Sequence, residues 1–480
     1  MAQSFFFYDL ETSGINPRGS RIMQFAGQRT DMALRPVGDP VDMLVKLTPD
    51  VLPDPDAILV TGITPQQTIA DGITEAEFLK NFDKEVATPG TIFVGFNTVR
   101  FDDEFMRFTL YRNFYDPYEW QWKDDRSRWD LLDVVRMTRA LRPDGIKWPF
   151  ASDGSPTNRL ELITSLNKID HFGAHNALVD VKATIAVANL IREKQPKLFD
   201  FLLTMRNKKK VEPLVQSGQP FVYSSGKYPS KFEKTTVAIA IAKHPKKQGA
   251  LVYDLRHDPT EFAKLDAKQL VQRWAYTRDE NAPVRLPVKT LQYNRCPAVA
   301  PLSVLDDASK ERLALNMKTI EANRQKLSKF PEFVENILKA VELMDKKQQS
   351  ELVASDQDVD SQLYDDFIDN ADKNVMRAIR AAEPDELLGF AATVKDKRLQ
   401  ALLPLYKARN YPGKLSGEER EQWEQFCAQR LLGGGQASRM AKYFARLQEI
   451  AARPGVTQNQ QYLLEELKLY GESIMPVQED

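Results

Sequence analysis

The stretch FFFYDLETSG, residues 5–14, runs four aromatic residues straight into two acids. An apolar run of that kind folds as a buried strand, whose side chains alternate between the two faces of a sheet. Asp9 and Glu11 therefore project together, roughly 6.8 Å apart along the strand, while Tyr8 and Leu10 point the other way. A carboxylate on a buried strand is costly unless a cation or hydrogen bonds meet it. The stretch thus predicts a rigid strand that presents two acids to a cation. A hard cation such as Mg²⁺ takes oxygen ligands at about 2.1 Å. Two such ions about 3.5–4 Å apart clamp a phosphate during in-line attack.

Holding two ions takes more acids. GFNTVRFDDEF (95–105) supplies Asp102 and Asp103 directly after a second apolar strand, and HNALVDVKAT (175–184) supplies His175 and Asp180. Asp180, Thr184, Val187 and Ile191 share one helical stripe, so Asp180 faces inward with apolar neighbours. Five residues turn a helix by about 140°, which places His175 on the loop before it. A lone histidine is more often a surface or core residue, but its spacing to Asp180 favours a functional one. An imidazole with an ordinary pKa near 6.5 suits a general base at neutral pH.

Residues 1–195 alternate strands (5–10, 21–30, 42–47, 91–97) with helices (75–86, 102–114, 129–141, 160–168, 177–194). This predicts an α/β domain with a mixed sheet flanked by helices. Residues 196–350 predict a smaller, largely β domain, with strands at 235–244, 250–255 and 288–293. Val237, Ile239 and Ile241 share one face of the first of these. A helical domain over 356–480 follows, with capping boxes at SGEE (416–419) and TQNQ (457–460). The acidic SDQDVDSQLYDD (355–366) reads as the hinge into it. The net charge of −1 conceals a basic segment, 206–247, with ten Lys or Arg against two acids, and an acidic one, 351–372, with eight acids and no base. Cys296 and Cys427 form no CxxC or zinc spacing. They predict two buried thiols in a reducing cytoplasm. No apolar run of about 18 residues predicts a membrane span, and the N-terminus has no secretory-signal pattern.

D-x-E on the first strand, N-x-x-x-F-D after a later one and H-x-x-x-x-D at a late helix resemble the DEDDh, or DnaQ-like, 3′→5′ exonucleases. LVTGITPQQT (59–68), YRNFYDPYEWQW (111–122), SRWDLLDVVR (127–136), LRPDGIKWP (141–149), NRLELIT (158–164) and ALLPLYKARNYPG (401–413) narrow the resemblance to the bacterial exonuclease I family. Asn176 departs from the aspartate common there, at a position outside the metal ligands. A tyrosine at 176 would mark the sister group. The resemblance implies a ribonuclease H-like exonuclease domain, an SH3-like β domain and a C-terminal helical domain. It implies Asp9 as the ligand of both metals and Glu11 and Asp180 as ligands of the first. Asp102, rather than Asp103, becomes the ligand of the second, and His175 the general base. The cofactor would be two Mg²⁺ ions, for which Mn²⁺ could substitute. The reaction would be processive hydrolysis of single-stranded DNA to 5′-mononucleotides in DNA repair and recombination, by a cytoplasmic monomer.

Enzymes on single strands combine cationic grooves with aromatic platforms. Residues 107–136 mix both, and about half of the aromatics there are expected in the core. The resemblance singles out Arg107, Tyr118, Trp122 and Arg136 as DNA contacts, with Arg159 and Glu11 also binding substrate, and Lys208, within the basic RNKKK (206–210), would extend the track into the second domain. Thr64 has a sufficient structural role in a capping box with Pro65 at N1, although the resemblance sets the adjacent turn beside the 3′ end. Arg142 would bind the acidic C-terminal tail of single-stranded DNA-binding protein. An exoribonuclease or proofreading subunit on the same fold, or an inactive nucleic-acid-binding scaffold, are the alternatives.

Overall fold

A computed structural model describes residues 3–171, 176–275, 283–355 and 358–476, with 348–355 as backbone only. The first sheet has the order β3–β2–β1–β4–β5, from Val41–Leu44, Ile22–Thr30, Ser4–Thr12, Thr91–Gly95 and Ser127–Asp130. β1 pairs antiparallel with β2 and parallel with β4, and β4 pairs parallel with β5, so the sheet is mixed. β1 lies at its centre, which explains the aromatic run. Phe5 and Phe7 pack on one face with Val94, Trp129 and the helices Leu131–Leu141 and Ala177–Lys194. Phe6, Tyr8 and Leu10 pack on the other with Phe25, Phe78, Phe82, Phe93 and Trp120.

Two expectations in this domain need correction. Residues 129–130 end the strand Ser127–Asp130 rather than begin a helix. The helix starts at Leu131, where the Asp130 carboxylate accepts the Leu132 N–H at 3.0 Å. The helix expected over 75–86 is α-helical only over Glu75–Asn81 and widens into a π-turn over Phe82–Val86.

The second sheet is antiparallel throughout, in the order β10–β6–β7–β8–β9, from Ala298–Pro301, Phe221–Ser224, Thr235–Lys243, Gly249–Asp254 and Val288–Gln292. The four-residue strands β6 and β10 are too short to show an alternation in sequence. Val222, Val237, Leu251 and Val288 on one face join the apolar cluster beneath the first sheet. Tyr223, Ala238, Val252 and Val299 on the other pack with Val211 and Val215 of the helix Lys208–Val215. The C-terminal residues are helical, and the capping boxes at Ser416–Glu419 and Thr457–Gln460 are both formed.

The acidic segment expected as a hinge is pinned instead. Asp360 is fully buried and accepts from Arg21 at 2.6 Å, Arg409 at 2.7 and 2.8 Å and Arg430 at 3.1 Å. Arg409 also binds buried Asp50 at 2.8 Å. Burial alone would raise the Asp360 carboxyl, but Arg409, Arg21 and Arg430 hold it well below the usual carboxylate range. Arg21 and Asp50 belong to the first domain, so this network ties the first and last parts of the chain together. Cys296 and Cys427 are buried and unpaired, and burial pushes both thiols up to about 12. Among the described residues no helix is long and apolar enough to cross a membrane.

Candidate active site

β1 carries Asp9 and Glu11, and the first turn of the helix Ala177–Lys194 carries Asp180. One oxygen from each of these three acids lies within 4.8 Å of the others. Asn176, in place of the expected aspartate, caps that helix by accepting the Leu178 and Val179 N–H groups at 3.2 and 3.3 Å. Burial raises the Asp9 carboxyl far above the usual range, and Asp180 adds to the effect. Burial, then Asp9 and Asp180, push Glu11 up to about 9. Three hard oxygen donors that repel one another in a poorly solvated space are the donor chemistry of a divalent cation site. The residues fit that group.

Asp102 opens the helix Asp102–Arg112 and is buried; burial and the charge of Asp9 push its carboxyl well above the usual range. Its neighbour Asp103 has other duties. It accepts the Tyr8 hydroxyl at 2.6 Å and pairs with the Arg128 guanidinium. Adjacent acids thus separate, one toward Asp9 and one into a buried hydrogen-bonded network. The turn before them is built closely. A Cβ on Gly95 would fall on the Thr98 side chain and 2.9 Å from the Tyr8 carbonyl oxygen. Asp130 accepts the Asn97 and Val99 N–H groups at 3.0 and 3.2 Å and so holds this turn. Burial and Asp133 push Asp130 up to about 6. Its role in the turn depends on pairing between β4 and β5 and has no local signature in the sequence.

His175 lies outside the described residues. Another histidine, His171, stands with Nε2 2.5 Å from Asp180 Oδ1, and sequence reasoning missed it.

Six of the remaining expected groups divide between two spaces, Arg136 and Arg159 in one and Arg107, Tyr118, Trp122 and Lys208 in the other. A cavity of about 580 Å³ is lined by Asp9, Asp180, Asn97, Arg136, Arg159 and, from the second domain, Lys234. Arg136 is held by Asp133 at 2.6 Å, and Arg159 is largely exposed beside Glu161. A groove of about 1270 Å³ is lined by Arg107, Tyr118, Trp122, Lys208, Arg206 and Arg295 among others. Arg107 is held by Glu104 at 2.6 Å and lies 5.6 Å from the centre of the Tyr118 ring. Lys208 binds Gln248 at 3.0 Å. Trp122 is 62% exposed, whereas Tyr111, Phe114, Trp120 and Trp129 are buried, which divides the aromatics of this segment between core and groove.

Lys234 and Arg206 lie in the basic segment 206–247, whereas Arg295 has no local charge pattern to mark it. Thr64 lines neither space; it caps the helix Pro65–Asp71 by accepting the Gln67 N–H at 3.2 Å. Arg142 spans to the second domain, binding Asp306 at 3.1 Å and the Val304 carbonyl at 2.9 Å.

Three family models match the chain in series: "Exonuclease" over residues 6–188, "Exonuclease I SH3-like domain" over 206–342 and "Exonuclease I C-terminal domain" over 357–474. The exodeoxyribonuclease I of Haemophilus influenzae is 39% identical over 435 residues, 89% of this chain and 90% of that protein. That of Escherichia coli is 39% identical over 424 residues, 88% of each. A structure of E. coli exonuclease I in complex with a dA16 oligonucleotide superimposes with a TM-score of 0.91 at 37% identity, covering 98% of this chain and all of that one. The zinc-bound form of an E. coli exonuclease I–single-stranded DNA complex gives 0.91 at 36%, covering 99% and 100%. An SSB/exonuclease I structure in complex with an inhibitor gives 0.88 at 37%, covering 99% and 100%.

Proposed function

The chain belongs to the exonuclease I family, and from that premise we propose how its residues degrade single-stranded DNA from the 3′ end. The observation that carries the reading is the trio Asp9, Glu11 and Asp180, gathered within 4.8 Å, with the charged forms of Asp9 and Glu11 disfavoured by burial and by the neighbouring acids. Asp9, Glu11 and Asp180 would hold one Mg²⁺ ion, and Asp9 and Asp102 would hold a second. When bound, the pair supplies Lewis acidity at the terminal phosphodiester and neutralises charge that builds there during attack by water.

The protein's own groups do the rest. β1 pairs with β4 over Ser4–Phe7 and with β2 through Asp9 and Glu11, so a strand anchored in the sheet presents both acids. His175 takes the proton of the attacking water as the water oxygen bonds to phosphorus; the bond from phosphorus to the 3′ oxygen of the preceding nucleotide breaks, that oxygen regains a proton, and a 5′-mononucleotide is released. Arg136, Arg159 and Lys234, which line the cavity with Asp9, hold the phosphates on either side of the cut. Glu11 also meets the terminal nucleotide, with Thr64 and its turn beside the 3′ end. Upstream, Arg107 and Lys208 hold the phosphate backbone in the larger groove, while Tyr118 and Trp122 stack bases. Base–aromatic stacking is worth about 1–3 kcal/mol per base and tolerates any sequence.

The exonuclease domain spans 1–195, the SH3-like domain 196–350 and the C-terminal helical domain 356–480. A groove walled by both of the first two domains slows release between cuts, so degradation is processive. An SSB partner is supported by the SSB/exonuclease I structure, with Arg142 offered to the acidic tail. The protein acts as a cytoplasmic monomer in DNA repair and recombination.

End-labelled single strands of DNA and RNA, incubated with Mg²⁺ or EDTA, test the reading. Mg²⁺-dependent release of deoxymononucleotides is expected. Preference for RNA would move the chain to an exoribonuclease, and no metal-dependent release from either polymer would leave only a binding role.

A further inference from the structure

Asp180 is held by more than its own helix. His171 Nε2 lies 2.5 Å from Asp180 Oδ1, and His171 Nδ1 lies 3.0 Å from the Thr164 hydroxyl oxygen. The imidazole is nearly buried, at 6% exposure, and Thr164 is fully buried on the helix Leu160–Leu166. Thr164 Oγ1 is itself 3.0 Å from the Leu160 and Glu161 carbonyl oxygens. A carboxylate can only accept, so Nε2 carries a proton and donates it to Asp180. The result is a continuous support from one helix, through an imidazole, to an acid at the start of another.

We propose that His171 is a positioning residue: through this hydrogen bond it fixes the Asp180 carboxylate for the catalytic cation, and Thr164 fixes the imidazole. The inference rests on the reading of Asp180 as a metal ligand. Asp180 faces two other acids within 4.8 Å, and mutual repulsion favours any rotamer that swings it away. A donor on one oxygen opposes that swing and spreads the charge. A carboxylate has about four lone-pair sites, so accepting from His171 leaves capacity for a cation. Outer partners of this kind are worth about 10–100-fold in metal affinity.

The test measures Mn²⁺ binding to the DNA-free protein by electron paramagnetic resonance, alongside single-strand hydrolysis across Mn²⁺ concentrations. H171L removes both ring nitrogens, H171Q keeps an N–H donor near the Nε2 position, T164V removes only the hydroxyl, and D180N is the control. Mn²⁺ affinity should fall about 10–100-fold in H171L, recover in large part in H171Q, and fall by a smaller factor in T164V. Turnover at saturating Mn²⁺ should stay within a few-fold of the wild type in H171Q. Wild-type Mn²⁺ affinity in H171L would overturn the proposal. So would lost turnover at saturating metal with unchanged affinity, which would make His171 a catalytic group. If H171L fails to fold, T164V decides: an affinity equal to wild type overturns the proposal. An unchanged Mn²⁺ affinity in D180N would instead sink the underlying reading of Asp180.

Discussion

Asp9 and Glu11 belong to a strand that the core requires, yet their charges suit that core only when a cation is present. Replacing Asp9, the acid shared by both proposed ions, with asparagine should lower hydrolysis by about 10³-fold, a loss of about 4 kcal/mol in transition-state stabilisation. Initial rates on a labelled oligonucleotide measure this directly. The same acids set a pH dependence. Glu11 is raised from its ordinary 4.5 to about 9 in the folded protein. Between those values the folded state keeps a proton that the unfolded chain has released, so stability is lost as pH rises through that range. Without metal, the melting temperature should fall from pH 6 to pH 9 more steeply in the wild type than in Glu11→Gln, and divalent metal should reduce the difference. Scanning calorimetry at the two pH values provides the check. The alternation of a strand makes Asp9 and Glu11 legible in sequence. Alternation does not divide Asp102 from Asp103; the motif resemblance names Asp102, while the partners of Asp103, Tyr8 and Arg128, are distant in sequence. His171 carries no motif of its own, and only the fold brings it to Asp180.

Among the elements, the turn that joins β4 to the helix Asp102–Arg112 is the tightest joint of the site. Gly95 approaches Thr98 and the Tyr8 carbonyl too closely for a side chain. Gly95→Ala should therefore destabilise the protein by about 1–3 kcal/mol and lower activity, by displacing Asp102. Chemical denaturation with a parallel rate assay reads both effects. Long periodic elements were legible: the helix Ala177–Lys194 occupies the residues its apolar stripe marks out. Short strands were not. Ser127–Asp130 offers four residues, two of which extend a helical pattern backwards, and β6 and β10 gain their strand character only from their neighbours in the sheet.

For the whole molecule, the groove needs the first two domains side by side, and the buried ions around Asp360 keep the C-terminal helices attached to the first. The sequence suggests a solvated hinge there because Asp360 sits among acids. Its arginines, at positions 21, 409 and 430, are visible only once the chain is folded. Asp360→Asn should cost about 3–5 kcal/mol, since it leaves Asp50 and Asp358 to balance three buried guanidinium groups; a thermal melt of the full chain measures it. The central claim is that Asp9, Glu11, Asp102 and Asp180 together hold the catalytic cations. Anomalous diffraction from crystals soaked in Mn²⁺ and a short single-stranded oligonucleotide tests it most directly. The account predicts two peaks, both touching Asp9, one shared with Glu11 and Asp180 and the other beside Asp102. Mn²⁺ bound away from these four carboxylates would contradict it.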